Sequence, residues 1–155
     1  MYLNKHTRVM NYPHTKPELL YVVSVKRNGQ LVEHIKPERV ATIIEEICYW
    51  RKANAIHYWF VKNCQEGVDD CRQAYVETDL LQELCDTIKQ ILAVPSGEER
   101  DKLAVELLPP CQGFFFGSSE IDEYYYQDLE HTLSQLTDVL EENNHGSDYY
   151  YHSSW

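Results

Sequence analysis

A chain of 155 residues with a net charge of −11 is long enough for one globular domain with a buried core. Its apolar fraction of 43% excludes disorder of the whole chain, and it lacks an uncharged run long enough to cross a bilayer. Because the first residues also lack the apolar stretch of a secretory signal, we expect a protein of the cytosol.

The charge is distributed unevenly along the chain. Residues 1–66 contain ten Lys and Arg against six Asp and Glu, whereas residues 67–155 contain four against nineteen. The overall acidity argues against direct binding of nucleic acid. The basic part favours an anionic small molecule, and the acidic part suits the basic surface of a protein partner. A solvated acidic face that only keeps the protein in solution is the alternative.

The pattern of residues predicts a predominantly helical α+β fold, in which an N-terminal β-hairpin packs on about four helices. We expect one domain over residues 1–147, with residues 1–18 as an irregular arm because they are polar and contain two prolines. Two strand-like segments, residues 21–26 and 30–35, flank Asn28-Gly29. This dipeptide is the strongest short signal for a hairpin turn.

Helical periodicity and end signals predict four helices. They are residues 38–63, residues 79–94, a short helix capped by Ser96 and closed by Pro109, and a last helix that Ser118 or Ser119 caps and that runs to about Glu142. Residues 113–117, Gly-Phe-Phe-Phe-Gly, are expected to form a short strand or tight loop. Residues 148–155 are rich in tyrosine without helical periodicity and are assigned to a C-terminal tail, with flexibility left open.

Polar residues interrupt the apolar stripe of the helix predicted over residues 38–63. Four of them and a tryptophan of the stripe, spaced to lie on or beside one helix face, form a candidate ligand site: Trp50, Arg51, Asn54, His57 and Tyr58. An indole for stacking, a planar cation and neutral hydrogen-bonding groups are what a nucleotide-like molecule requires. The alternative is that the buried amide and imidazole are satisfied by other groups inside the core.

A second group of residues lies in the acidic part of the chain and is a candidate pocket or interface. It comprises Phe115, Ser118, Tyr124 and Tyr126. Exposed aromatic residues are frequent in protein interfaces. Plain helix capping by the serine and ordinary packing of the tyrosines are the alternative readings.

The sequence contains no motif of a nucleophile with its base, no phosphate-binding loop and no HExxH pair. We therefore expect no catalytic residue, no metal and no cofactor, and the sequence favours a protein that is not an enzyme. Five cysteines without a CxxC pair indicate free thiols. A zinc site built from His57, Cys64, Cys71 and Cys85 is a weaker alternative, because the paired spacing of structural zinc ligands is missing.

Several phrases of the sequence resemble a family of small proteins without assigned activity that tailed phages and prophages encode. They are the segment Tyr49–Cys71, which begins YWRKANAIHYWF, then Leu107-Leu108-Pro109, and GFFFGS at residues 113–118. The resemblance extends from about Tyr21 to Leu140. It implies a phage accessory protein that acts in the host cytosol, either on an immune effector, on a nucleotide immune signal or on a host enzyme.

Three functions remain open at the level of sequence. The first is a module that counteracts host defence by sequestering a nucleotide-derived molecule, possibly as a homo-oligomer. The second is an acidic inhibitor that docks on a host immune or nucleic-acid-binding protein. The third is a passive component of the virion. The first is favoured, because the candidate ligand site lies in the basic part of the chain.

Overall fold

The computed structural model describes residues 1–111, 119–142 and 146–154. Within these residues the chain forms a four-stranded antiparallel sheet and four α-helices that share one core with it. Across the sheet the strands are β4 (Thr42–Tyr49), β1 (Tyr2–Arg8), β6 (Ser147–His152) and β5 (Ala74–Val76). The helices are α1 (Asn54–Cys64), α2 (Thr78–Ala93), α3 (Glu98–Leu107) and α4 (Glu123–Glu141). The α+β class is confirmed, but the chain is mixed rather than predominantly helical.

The two central strands come from the two segments that the sequence pattern assigns to an irregular arm and a tail. Strand β1 pairs with β6 so that Leu3 lies opposite Tyr151 and Lys5 lies opposite Tyr149. Leu3 and both tyrosines are fully buried against the helices, because alternate side chains of a strand point to one face. A run of tyrosines has high strand propensity but no helical period, so the strand at residues 147–152 looked like a tail.

The helix predicted over residues 38–63 is wrong in its first half. Residues Thr42–Tyr49 form β4, which pairs with β1, and only Asn54–Cys64 are α-helical, with a 3-10 turn at Pro37–Arg39. Ile43 and Ile47 stand four residues apart, which imitates one face of a helix. The segment is nevertheless rich in β-branched residues, and its pairing with a distant strand decides its conformation.

The predicted hairpin is much shorter than expected. Asn28 and Gly29 have φ values of 50° and 80°, which suit a tight hairpin turn. The turn joins only β2 (Lys26–Arg27) to β3 (Gln30–Leu31), and all four of these strand residues are exposed. The hairpin therefore forms a separate small sheet and does not pack on the helices as predicted.

Helices α2 and α4 form the main helical layer and lie close to their predicted positions. Their buried residues recur at helical spacing, with Leu84, Ile88 and Ile91 on α2 and Leu129 and Leu136 on α4. None of the described helices has the length and apolarity needed to cross a membrane.

The predicted caps of two helices are wrong. Helix α3 begins after Gly97, and no side chain caps it, so Ser96 does not act as the cap. Helix α4 begins after Asp122, whose carboxylate accepts a hydrogen bond from the Tyr125 amide at 2.9 Å. The predicted caps Ser118 and Ser119 precede it by several residues. The aromatic segment 113–117 lies outside the described residues.

Candidate functional site

The structure separates the five residues of the first candidate site. Because α1 begins only at Asn54, Trp50 and Arg51 precede the helix and do not share a helical face with His57. Trp50, Asn54 and His57 are buried, whereas Arg51 and Tyr58 are exposed. Arg51 and Asn54 line one cleft, Tyr58 lines another, and neither Trp50 nor His57 lines either of them.

Trp50 is part of the core. Its indole Nε1 donates a hydrogen bond to Thr132 Oγ1 on α4 at 2.8 Å, and that hydroxyl donates to the Asp128 carbonyl oxygen at 2.6 Å. The ring packs near Phe60, with a centroid distance of 5.7 Å. The indole is thus satisfied inside the protein and is not a stacking surface for a ligand.

His57 is held between two polar partners in a buried network. Its Nδ1 lies 2.6 Å from the Tyr151 hydroxyl oxygen, and its Nε2 lies 3.1 Å from Asp69 Oδ2. Burial lowers the pKa of His57 despite the opposing effect of Asp69, so the ring is neutral at neutral pH. A neutral ring that satisfies both partners accepts the Tyr151 proton at Nδ1 and donates from Nε2 to the carboxylate.

The geometry of this network is that of a structural group rather than a reactive one. Burial raises the pKa of Tyr151, which is fully buried and stacks on Phe60 at a centroid distance of 4.2 Å. A phenol that is protonated and closed to substrate has no role as a nucleophile. His57 therefore links α1, β6 and the loop that carries Asp69.

A cleft of about 290 Å³ lies where the N-termini of α1 and α4 meet. Residues 51–56 form one wall, and residues from 120 to 129 form the other. The side chains and backbone groups that line it belong to Arg51, Lys52, Ala53, Asn54, Ala55, Ile56, Glu120, Asp122, Tyr124, Tyr125, Gln127, Asp128 and Leu129. Its lining combines basic, acidic and aromatic side chains, and it is the larger of the two described clefts that border α1.

The wall at α1 is positive. Arg51 and Lys52 are both exposed, and neither forms an ion pair within the described residues. Ala53 occupies the N-cap position and has no side-chain acceptor, and the first turn of α1 contains no acidic residue. The amide groups of that turn add a partial positive charge. Lys52 has a φ of 66°, a strained value for a residue with a side chain, which fixes the turn that presents both cations.

The wall at α4 is negative. Asp122 caps the helix, and Glu120 is exposed beside it. Burial raises the pKa of Asp128 to about 6, with a further increase from Asp122 and an opposing effect of His131. The cleft therefore places two cations opposite three carboxylates, one of which gains a proton only slightly below neutral pH.

The remaining predicted site residues lie in different parts of the structure. Tyr124 lines the cleft and is 73% exposed, so its ring is available to a ligand or partner. Tyr126 is engaged elsewhere, because its hydroxyl donates to Asp101 at 2.6 Å and the Arg100 guanidinium lies 4.0 Å from the ring centroid. Tyr58 lines a cleft of about 210 Å³ on the other side of α1. Phe115 and Ser118 lie outside the described residues.

Sequence reasoning missed the carboxylates of the cleft. Glu120, Asp122 and Asp128 lie in the acidic part of the chain, and nothing local in the sequence connects them with Arg51. Lys52 is adjacent to Arg51 and was overlooked, because it falls off the predicted helix face. The pair of neighbouring basic residues just before a helix without an acidic first turn was the available signal.

Within residues 1–111, 119–142 and 146–154, no group of His, Cys, Asp and Glu side chains has the geometry of a metal site. The cysteines are free thiols, and burial raises the pKa of Cys48 to about 12 and that of Cys64 to about 11. Metal binding requires thiolates, so this protonation opposes it. The alternative of a zinc site at His57, Cys64, Cys71 and Cys85 has no support in the described structure.

Comparison with known proteins supplies no template for this cleft. No protein-family model matches the chain, and neither a curated protein nor a solved structure matches it. The chemistry of the cleft is therefore the basis for a function.

Proposed function

We propose that the protein is a binding module that captures a small nucleotide-like molecule in the cleft between α1 and α4. The single observation that supports this is the pairing of a positive wall at Arg51 and Lys52 with an acceptor-rich wall at Glu120 and Asp128. A phosphate group suits the first wall, since guanidinium, ammonium and helix amide groups all bind phosphate oxygens. Ribose hydroxyls and an exocyclic amine are hydrogen-bond donors, which suit the second wall.

The size and shape of the cleft agree with a ligand of this kind. Its volume of about 290 Å³ is at the lower limit of ligand pockets, which span roughly 300–1,000 Å³. A single nucleoside monophosphate is therefore a better fit than a dinucleotide. The exposed Tyr124 ring at the rim offers a face on which a base stacks. Three carboxylates oppose a ligand that is only anionic, such as free phosphate.

In the phage setting that the sequence resemblance implies, a captured molecule of this chemistry is a nucleotide-derived signal of host defence. Sequestration needs binding alone, which accords with a cleft that presents cations, carboxylates and a tyrosine without an evident nucleophile and base among the described residues. Host cytosol is the compartment where such a signal occurs. This assignment depends on the binding proposal and fails with it.

Isothermal titration of the full chain with purine and pyrimidine nucleoside monophosphates, AMP among them, and with adenosine and inorganic phosphate tests the binding proposal. We expect AMP to bind more tightly than either fragment. Arg51→Ala should weaken AMP about 10- to 100-fold, since a charge-assisted hydrogen bond contributes about 1.5–3 kcal/mol. Lys102→Ala is the matched control, because Lys102 is exposed on α3 outside the cleft and pairs with Glu98 at 3.7 Å. Absence of binding by purine and pyrimidine monophosphates alike would falsify the proposal.

An acidic protein inhibitor is the second candidate, and one observation favours it. Tyr124 is highly exposed and is flanked by the exposed carboxylates of Glu120 and Glu123. That combination suits a basic protein surface with an aromatic anchor. Glu123→Lys leaves the cation wall intact, so loss of host-protein capture with unchanged AMP binding would favour the inhibitor over the binding module.

A further inference from the structure

Residues 10–40 leave the sheet after β1 and return to it at β4, and we call them the long loop. At its base the Val9 amide still donates to the Ala41 carbonyl oxygen at 3.0 Å, which continues the ladder between the two strands. The loop contains the β2–β3 hairpin. Within it the Asn11 side-chain amide donates to the Tyr21 carbonyl oxygen at 2.7 Å, and the Tyr21 backbone amide donates to Asn11 Oδ1 at 2.9 Å. It is a locally organised projection from one end of the sheet.

The long loop exposes apolar side chains to an unusual degree. Val22 is 98% exposed and Leu31 is 70% exposed. Large apolar side chains exposed in this way occur along the whole loop: Met10, Tyr12, Leu19, Leu20, Tyr21, Val22, Leu31 and Ile35. Such a concentration of exposed apolar surface marks an interaction site in a folded protein.

The charge of the long loop is opposite to that of the rest of the chain. Its five Lys and Arg exceed its three Asp and Glu, which gives a charge of +2, whereas the remaining residues carry −13. Lys26 and Arg27 are exposed together in the hairpin. The projection is thus both apolar and basic on a strongly acidic protein.

A second open surface is the side of the sheet that faces away from the helices, which we call the outer face. Six rings from all four strands lie on it: Tyr2, His6, Tyr49, Tyr75, Tyr150 and His152. Tyr2 contacts Tyr49 and His152 at centroid distances of 5.2 and 4.9 Å. Tyr150 contacts His6 at 4.4 Å and Tyr75 at 5.8 Å.

The outer face places its aromatic rings beside two carboxylates. Tyr49 and Tyr75, at its two sides, are each about half exposed. Glu46 and Asp148 face the same way, and Arg8 lies 4.0 Å from Asp148 at the end nearest the long loop. Aromatic rings next to carboxylates attract cationic side chains and pack against apolar ones.

We propose that the long loop of one copy of this chain docks on the outer face of a second copy, reciprocally, to form a dimer. The two surfaces are complementary, since one is apolar and basic and the other is aromatic and carries the carboxylates of Glu46 and Asp148. Within one chain the loop leaves both surfaces exposed, so the complementarity is not used intramolecularly. A reciprocal exchange buries both surfaces of both copies in one closed, two-fold assembly. Lys26 and Arg27 approach Glu46 and the tyrosine rings of the partner.

Light scattering coupled to size exclusion, with the full chain at a series of concentrations, tests this dimer. We expect a dimer whose dissociation constant rises with salt between about 0.05 and 1 M, because part of the attraction is between surface charges. Val22→Asp with Leu31→Asp should raise that constant by at least about 100-fold. Val105→Asp is the matched control, because Val105 is an exposed apolar residue of α3 outside both surfaces.

Charge reversal assigns the partner surface. Lys26→Glu with Arg27→Glu should raise the dissociation constant about tenfold, and Glu46→Lys in the same chain should restore part of it. A wild-type chain that stays monomeric at every concentration overturns the proposal. So does a dimer that persists in the Val22→Asp, Leu31→Asp variant, or one that Val105→Asp dissociates equally.

Discussion

Polar residues inside α1 and polar residues just before it differ in burial and in hydrogen bonding. His57, inside the helix, is 2% exposed and satisfied by Tyr151 and Asp69. Arg51, three residues before the helix begins, is exposed and faces carboxylates across a cleft. Two polar residues of the same sequence segment thus have different roles: His57 stabilises the fold, and Arg51 lines an open cleft. Satisfaction of hydrogen bonds, rather than residue type, separates the two roles.

Replacement of His57 gives the largest expected effect and tests the stabilising side of this comparison. His57→Ala should lower the free energy of unfolding by about 3 kcal/mol, because it leaves a cavity and removes the partner of the buried Tyr151 hydroxyl. Urea unfolding followed by circular dichroism measures the loss. Tyr58→Ala, on the same helix but partly exposed, should cost less than about 1 kcal/mol. Equal losses in the two variants would remove the distinction.

Trp50 gives the next largest effect through its partner on α4. Thr132→Val preserves the shape of the side chain but removes the acceptor of the indole Nε1 hydrogen bond. We expect a loss of about 1–2 kcal/mol in the free energy of unfolding, since a buried donor is left unsatisfied. Thr137→Val on the same helix is the control and should change stability by less than about 0.5 kcal/mol. A neutral Thr132→Val would mean that the indole is not part of the stabilising network.

The contribution of the cleft residue Asp128 to stability can be measured through its dependence on pH. Its folded pKa of about 6 is above the unfolded value of 3.8, so its ionisation destabilises the fold as pH rises from about 4 to 6. Asp128→Asn should therefore add about 1 kcal/mol at pH 7, after allowance for partial exposure, and almost nothing at pH 4. Thermal unfolding at both pH values measures it, with the exposed Asp138→Asn as control. A gain that is the same at both pH values contradicts the raised pKa.

His57 has the opposite pH dependence. Burial lowers its pKa, so its stabilising contribution is complete above about pH 6.5 and decreases as the pH falls below that value. The His57→Ala variant should therefore lose less stability at pH 5 than at pH 7.5, relative to wild type. The two pH scans together distinguish the hydrogen-bonded network around His57 from the cleft that Asp128 lines.

Replacement of Arg51 is expected to have the smallest effect on stability. Arg51→Ala should change the free energy of unfolding by less than about 0.5 kcal/mol, because the side chain is exposed. The same variant should lose ligand affinity, as set out for AMP. Substantial unfolding of this variant would place Arg51 with His57 as a structural residue and would weaken the argument for an open site.

The helices that carry a strong apolar period were predictable from sequence, and the sheet was not. Helix α2 lies within one residue of its predicted ends, and α4 ends where predicted but begins several residues later, since local spacing specifies an amphipathic helix better than its first turn. Strand β4 was wrongly joined to α1, because its pairing with β1 is a contact between distant segments. The central position of β6 has no local signal beyond its alternating buried tyrosines.

The candidate site was half predictable for the same reason. Arg51 and Asn54 were recognised as polar residues beside an apolar pattern, and both line the cleft. The opposing Glu120, just before α4, and Asp128, within α4, follow Arg51 by 69 and 77 residues, and only the tertiary structure brings them near. Tyr151 likewise stood in the unassigned tail, so the partner that satisfies His57 was invisible in the sequence.

The position of β6 has a consequence for synthesis of the protein on the ribosome. Strand β5 pairs only with β6 in the described sheet, and β1 keeps one edge unpaired until residues 147–152 have emerged. A sheet of β1 and β4 alone therefore stays incomplete until β6, more than a hundred residues beyond β4 at its last residue, has been added. During that interval His57 lacks its hydrogen-bond partner Tyr151. The growing chain also exposes an unpaired strand edge to other nascent chains and to chaperones.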